Sequence, residues 1–272
     1  MIANTGDDVE VYGAHVSPDP DLVAYWLADV IDARGYGIRG DTFEVMGALA
    51  RAGAETWFQL GDRDLAMCLL RTDLLRGGAR LTDAHAAVVQ AIGAGARVLP
   101  MADEPVRTHV SSGGRRLPFQ EYMIVEGASA PVDGVEFAGV DEARPTSEVL
   151  HAVAEAEAIM IGPSNPIASI GPILALPGLP EALMSAAAPV VAVSPFVGGR
   201  AVKGPTELFC ASAGIALSAQ GIAQHYGPLV DGLVADEAVA GVPARVIDTV
   251  MDDPPGRAAV AEAALALAES LR

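Results

Sequence analysis

Residues 158–174 read AIMIGPSNPIASIGPIL, and residues 189–206 read PVVAVSPFVGGRAVKGPT. Each begins with a short apolar run, AIMIG (158–162) and PVVAVS (189–194), that breaks into a Gly/Pro loop before a helix-like stretch. Runs this short, bounded by turn residues, read as buried strands. IALS (215–218) and DGLVAD (231–236) read as two more. Helical stretches fall between them at 167–176, 180–187, 206–213, 220–227 and 256–271, and one precedes them at 147–157 with Ser147 as its N-cap. Strand, loop and helix in alternation predict parallel strands joined by crossover helices, hence an α/β sheet covered on both faces. Ligands of such sheets bind beyond the carboxyl ends of the strands, so the loops opening at Gly162 and Ser194 are the places to search.

The first half is less regular. Residues 41–53, 62–77 and 82–93 read as helices, which predicts a helical lobe (41–95) inserted in one α/β domain spanning 1–272, with 146–272 as the C-terminal part of its core. Residues 1–8 read as a strand end and a polar loop. Short strands follow near 97–100, 106–111 and 116–124, with a hairpin turn at Gly113-Gly114. The tract 125–146 reads as a connection. Neither a GxGxxG near the start nor a Walker loop is present.

Composition narrows the classes. With 272 residues, 51% of them apolar and 19% charged, the chain has enough apolar surface for a large core, and disorder is excluded. A net charge of -18 argues against a nucleic-acid groove or a polybasic membrane patch. It leaves phosphate ligands open, since a few cations, backbone amides or a bound metal suffice to hold them. Cys68 and Cys210 form no CxxC and read as core thiols of a reducing compartment. The opening MIANTGDD has neither a basic nor an apolar leader region, and no apolar run reaches about 18 residues, so a cytoplasmic location is expected.

Four stretches are candidates for chemistry. Asn4-Thr5-Gly6-Asp7-Asp8 and Ser17-Pro18-Asp19-Pro20-Asp21 are acidic clusters in turn-forming sequence, suited to Mg²⁺ or, as the bland reading, to solvated turns. In Leu60-Gly61-Asp62-Arg63-Asp64, Asp62 can cap the following helix and Arg63 can reach a phosphate or carboxylate; a capped helix with a surface ion pair is the alternative. Ser164-Asn165 lies between two prolines beyond the strand 158–162, where the next helix N-terminus can face an anion. The loop 194–205 carries Arg200 and Lys203, phosphate candidates or solvated charges. The five His are scattered without ligand spacing; His15, between the acidic clusters, is a candidate for orienting a ligand.

Together these motifs resemble the 2-phospho-L-lactate transferase family of coenzyme F420 biosynthesis. The resemblance is carried by NTGDD (4–8), SPDPD (17–21), DTF (41–43), LGDRD (60–64), the region around Arg71, LPMADEPVRT (99–108), IGPSNPIASIGPIL (161–174), VAVSPFVGG (191–199) with VKGPT (202–206), and GIAQHY (221–226). It runs from residue 2 to about residue 253. It implies a Rossmann-like α/β core with an inserted helical lobe, usually a homodimer. The activity implied is transfer of a phospholactyl or, in bacterial members, a phosphoenolpyruvyl group from a guanosine diphosphate ester to the deazaflavin Fo. GMP leaves and Mg²⁺ is required. An Ala-rich, acidic sequence favours the bacterial, enolpyruvyl form.

By resemblance Asp21 and Arg63 are catalytic and lie with Asp62 on the Fo side, while Asp21, Asp8 and Asp19 are the metal ligands. Asn4 and Thr5 contact substrate, and Ser164, Asn165, Ser194, Lys203 and Gly204 hold the guanosine diphosphate portion. The family pattern also opens with a strand and a GGxGG-type loop upstream of NTGDD, so a start codon assigned too late is expected. The alternative is a nucleotide-sugar-binding regulator on the same scaffold. Such relatives carry a DDGGSSG-type run, whereas Asp7-Asp8 here is followed by VEVYG.

Overall fold

The computed structural model describes residues 1–202 and 204–272; Lys203 lies outside the described residues. The chain forms two compact units. The first comprises Met1–Val110, Arg116–Ala130 and Glu136–Val149, and the second Ser111–Arg115, Pro131–Val135 and Leu150–Arg272.

In the first unit, β1 (Ile2–Ala3) pairs in parallel with β4 (Leu99–Pro100). Between them the chain makes a hairpin, β2 (Val9–Val11) and β3 (Ala14–Val16), and four helices: α1 (Pro18–Leu27), α2 (Glu44–Arg51), α3 (Asp62–Arg76) and α4 (Leu81–Ile92). The hairpin closes through Tyr12 and Gly13, both at positive φ (53° and 75°), the two-residue turn whose twist matches the strands. Tyr12 tolerates that conformation because its hydroxyl donates to the Phe58 carbonyl (2.9 Å) and accepts from the Phe58 N–H (3.2 Å). Ala14, Val16, Leu65 and Cys68 join Met46, Phe58 and Leu60 in one apolar cluster, which seats the hairpin on α3. Strands β5 (Arg107–Ser112), β6 (Arg115–Pro118) and β7 (Gly134–Ala138) form a three-stranded sheet with β5 central.

The second unit is the parallel sheet. The helix α5 (Ser147–Ala154) leads to β8 (Ile159–Ile161), then α6 (Gly171–Leu174), α7 (Leu179–Ser185) and β9 (Val190–Val193). A small hairpin, β10 (Phe196–Val197) with β11 (Arg200–Ala201), precedes α8 (Thr206–Ser212), α9 (Ala219–Tyr226), β12 (Gly232–Ala235), β13 (Ala244–Val246) and α10 (Pro254–Ser270). The order is β13-β12-β9-β8, every pairing parallel. Alternation along the strands splits the core. Val190, Ala192, Leu233 and Ala235 pack on Cys210, Ile222 and Tyr226 from α8 and α9. Val191, Val193 and Val234 pack on Val260, Ala264 and Leu267 from α10. Helices therefore cover both faces, as the apolar strands required. Burying each such Val or Leu contributes roughly 1.5–3 kcal/mol.

Several local expectations change. Residues 215–218 are not a strand; Ser218 instead caps α9, its hydroxyl accepting from the Gly221 N–H at 3.1 Å. Thr146, not Ser147, caps α5, accepting from Val149 at 3.2 Å. The tract 125–146 is more than a connection, since it supplies β7. The strand expected over 116–124 stops at Pro118, and a short π-helical turn follows at Glu121–Val125. The helix expected over 167–176 is shortened to Gly171–Leu174. SPDPD is the first turn of α1 and not a free turn, because Pro18 and Pro20 sit where no helical N–H is needed. Among the described residues no helix is long and apolar enough to cross a membrane.

Candidate functional site

The acidic residues of the first unit converge. The NTGDD loop follows β1, and α1 opens with Asp19 and Asp21 in its first turn. Asn4 ties the two segments together: its amide donates to Asp7 Oδ1 (3.2 Å) and to Asp19 Oδ2 (3.1 Å), while its oxygen accepts from Gly6 N–H at 2.7 Å. Gln120 donates to the other Asp7 oxygen at 3.1 Å. Asp8 takes the Ser17 hydroxyl on Oδ1 (2.6 Å) and His15 Nε2 on Oδ2 (3.0 Å). Asp7 and Asp8 are buried; Asp19 is half-buried and is the part of the cluster nearest solvent.

Burial, then the charges of Asp19 and Asp8, holds the Asp7 carboxyl well above the usual range. Burial pushes Asp19 up to about 6, Asn4 opposing and Asp8 adding. For His15 burial works against the charged ring, but Asp8 and Glu10 outweigh it and raise the value. Asp7 and Asp19 thus meet through Asn4, and Asp8 lies near enough for its charge to raise both, with amides, a hydroxyl and one imidazole for company. Like charges gathered in a poorly solvated place call for a cation. An oxygen-rich set of this kind suits a hard divalent ion. The buried Thr5 hydroxyl, beside Asn4 in the same loop, has no hydrogen-bond partner among the described residues.

Asp21 lies two residues further along α1, and both of its oxygens are taken. Arg71 from α3 forks onto it with contacts of 2.8, 3.0 and 2.6 Å, and both side chains are buried. Burial pushes the Asp21 carboxyl up while Arg71 pulls it back. Asp21, Asp64 and Cys68 also place one ligand atom each within 4.8 Å of one another. The guanidinium already supplies the positive charge there, and a divalent ion would have to displace it.

The DTF and LGDRD motifs interlock. Asp62 does not cap its own helix; its carboxylate accepts from Thr42 Oγ1 (2.6 Å), Glu44 N–H (3.1 Å) and Val45 N–H (3.0 Å), and so caps α2. Asp41 returns the service at α3, accepting from Arg63 N–H (3.0 Å) and Asp64 N–H (3.1 Å). Gly61 is required because any Cβ would run into the Asp41 carboxylate. The exchange aims Arg63, which donates to the Arg39 carbonyl at 2.6 Å and lines a cavity of about 230 Å³ with Val30, Ile38, Ala66, Met67 and Ile92. The cavity is apolar apart from that guanidinium.

In the second unit Ser164, Asn165 and Ser194 all follow carboxyl ends of parallel strands, β8 and β9. Ser164 is exposed. Asn165 caps its own turn, its Oδ1 accepting from Ile167 and Ala168 N–H at 3.0 Å each, so those amides are not turned to an anion. Ser194 is buried and accepts from Phe196 N–H at 3.2 Å. Gly204 is exposed at φ 67°. Lys203, expected beside it, lies outside the described residues.

Sequence patterns name the acidic motifs yet give no site role to three members of this arrangement. Asp7 stands in the acidic cluster suited to Mg²⁺, although the resemblance implies only its neighbour Asp8 as a ligand. Arg71 is the lone cation within a run of apolar helix, a signal of burial. Gln120 leaves no local signal, since it reaches Asp7 across 113 positions of chain.

A family model described as 2-phospho-L-lactate transferase CofD matches residues 1–260. The chain belongs to this family. It is therefore similar throughout to CofD-family transferases, and the expected resemblance holds. A phosphoenolpyruvate transferase of Kitasatospora aureofaciens is 39% identical over 288 residues, covering 100% of this chain and 90% of the relative. One from Streptomyces coelicolor is 40% identical with the same coverage. A 2-phospho-L-lactate transferase of Methanosarcina mazei is 40% identical, covering 87% of this chain and 78% of the relative. Among solved structures, a UPF0052-family protein of Bacillus halodurans matches with a TM-score of 0.54 at 17% identity, over 95% of this chain and 81% of that one. At that identity the likeness speaks for the α/β fold alone. CofD membership makes the chain a transferase.

Proposed function

We propose that this chain transfers a phosphoenolpyruvyl group from a guanosine diphosphate ester to the terminal ribityl hydroxyl of Fo, forming the backbone of a dehydro coenzyme F420. One observation carries the reading. A chain matching the CofD family over 1–260 gathers three carboxylates, Asp7, Asp8 and Asp19, around neutral donors at one partly open point. The named phosphoenolpyruvate transferases align with the whole chain, which favours the enolpyruvyl donor over the lactyl one.

In the reaction the hydroxyl oxygen forms a bond to the phosphorus that bears the three-carbon acid. The bond from that phosphorus to the oxygen of GMP breaks, the electron pair leaves with GMP, and the hydroxyl proton is lost. Mg²⁺, held by Asp8 and Asp19 with Asp7, would neutralise the nonbridging oxygens of the diphosphate. Asp21, committed to Arg71, is assigned to shaping the first turn of α1 and so to placing Asp19. Arg63 and the apolar cavity beside it are assigned to the deazaflavin ring, a flat surface that apolar walls and a guanidinium suit. Asn4 fixes two of the carboxylates and Thr5 offers its hydroxyl to substrate. By resemblance Ser164, Asn165, Ser194, Lys203 and Gly204 take the guanosine diphosphate portion. No general base is assigned: the acidic cluster accounts for charge and position, and in-line alignment supplies much of the remaining barrier reduction. A homodimer in the cytoplasm completes the proposal.

The test is product formation from Fo with each synthetic donor, read by mass spectrometry with Mg²⁺ and with chelator. The enolpyruvyl product is expected in Mg²⁺ alone, and Asp8→Asn or Asp19→Asn abolishes it. Absence of product from both donors, together with no change in deazaflavin fluorescence on mixing, would overturn the reading in favour of a ligand-binding regulator.

A further inference from the structure

We propose that Glu10 and His15 form a relay that positions Asp8 for its cation, an inference that rests on the reading of Asp7, Asp8 and Asp19 as the cation site. The hairpin register sets Glu10 directly opposite His15. The His15 N–H leaves the ladder to donate to Thr72 Oγ1 at 2.7 Å, so the two residues are a non-hydrogen-bonded pair, the kind whose side chains stand closest. Glu10 Oε1 meets His15 Nδ1 at 2.6 Å, and His15 Nε2 meets Asp8 Oδ2 at 3.0 Å. Both ring nitrogens are thereby engaged, and the imidazole cannot turn without losing two contacts.

Ser17, two residues beyond His15, adds its hydroxyl to the other Asp8 oxygen at 2.6 Å. The Asp8 carboxylate is thus gripped on both oxygens from one end of β3. The grip is itself anchored. Thr72 donates to the Cys68 carbonyl within α3 (2.6 Å) while accepting the His15 N–H, which pins β3 to the buried face of α3. Carboxylates that hold metal ions depend on such outer partners for orientation, and losing one typically weakens metal binding by about 10–100-fold. Glu10 is an exposed residue at the outer end, so it adds direction to the relay while contributing little to the core. His15 and Glu10 are positioning residues, acting through Asp8.

Calorimetric titration of the full chain with Mn²⁺ tests this, with the thermal midpoint in chelator recorded for each variant. Asp8→Asn is expected to abolish binding. His15→Leu is expected to weaken it by about 10–100-fold, and His15→Gln, whose amide nitrogen reaches the place of Nε2, to recover most of the loss. Glu10→Ala is expected to keep its midpoint in chelator and still bind Mn²⁺ several-fold more weakly. If the unaltered chain binds no Mn²⁺, the cation reading and the relay fall together. If Asp8→Asn loses binding while Glu10→Ala and His15→Leu bind as the unaltered chain does, the relay alone is overturned. Should His15→Leu fail to fold, Glu10→Ala decides.

Discussion

The two units bury different things. In the first, Asp7, Asp8, His15, Asp21, Arg71 and His85 are all buried, joined by Asn4, Ser17 and Gln120. In the second, the buried polar side chains among the described residues are hydroxyls, Ser112, Ser194, Thr206 and Thr249, set in a core of Val, Ala, Leu and Ile. Apolar burial stabilises without needing a partner, whereas a buried charge costs several kcal/mol unless something compensates it. The sheet unit is therefore held by apolar packing that needs no charged partner. The acidic unit is a set of mutually dependent groups, and dependence of that kind points to chemistry more than to stability.

The contrast breaks most visibly at Arg71. Arg71→Met leaves the Asp21 carboxylate buried without its guanidinium, with His85 Nδ1 3.8 Å away, and denaturant unfolding is expected to show a loss of about 3–5 kcal/mol. Arg71→Met combined with Asp21→Leu should regain most of that loss. In the second unit, Leu233→Ala is expected to cost about 2–5 kcal/mol with no partner able to rescue it.

His85 sharpens the difference through pH. It is fully buried, neither ring nitrogen has a hydrogen bond among the described residues, Nδ1 stands 3.8 Å from Asp21 Oδ1, and burial followed by Arg71 lowers its value to about 3. A group depressed on folding contributes stability that is present above its unfolded value of 6.5 and lost as pH falls toward 3. Urea midpoints should accordingly drop between those limits, by up to about 1.4 kcal/mol per pH unit. His85→Leu should flatten that part of the profile. Arg63→Ala, at a side chain more than half exposed, is expected to leave folding intact while lowering turnover at least about tenfold, or roughly 1.4 kcal/mol of barrier. Arg116→Ala breaks only an exposed pair with Glu136, and no change in thermal midpoint is expected.

Legibility follows the same division. The sheet unit was readable because its elements are local: AIMIG and PVVAVS are apolar runs, and alternate residues of β9 turn to opposite helices. Where it misled, at IALS, the run is short enough for either state, and a cap at Ser218 decided it. The acidic unit was readable in its motifs and unreadable in their wiring. Asp62 looked like the cap of its own helix because the preference is positional, yet an Asp41 near in space took that role and left Asp62 for α2. Asp19 and Asp21, two residues apart, both read as metal ligands, with Asp21 as the catalytic one. Helical geometry turned one toward Asn4 and the other into the grasp of Arg71.

Residue order alone determined that strands and helices alternate in the second half, that the strands are parallel, and that the chain carries the CofD series of motifs. Periodicity and motif spacing are local properties, and burial of apolar runs leaves few ways to arrange them. Only the tertiary structure decided which carboxylates gather, which one is neutralised by an arginine, and which is gripped by a histidine. Those outcomes depend on side chains brought within about 3 Å from positions far apart in the chain, at distances where the electrostatic energy of a buried charge is settled.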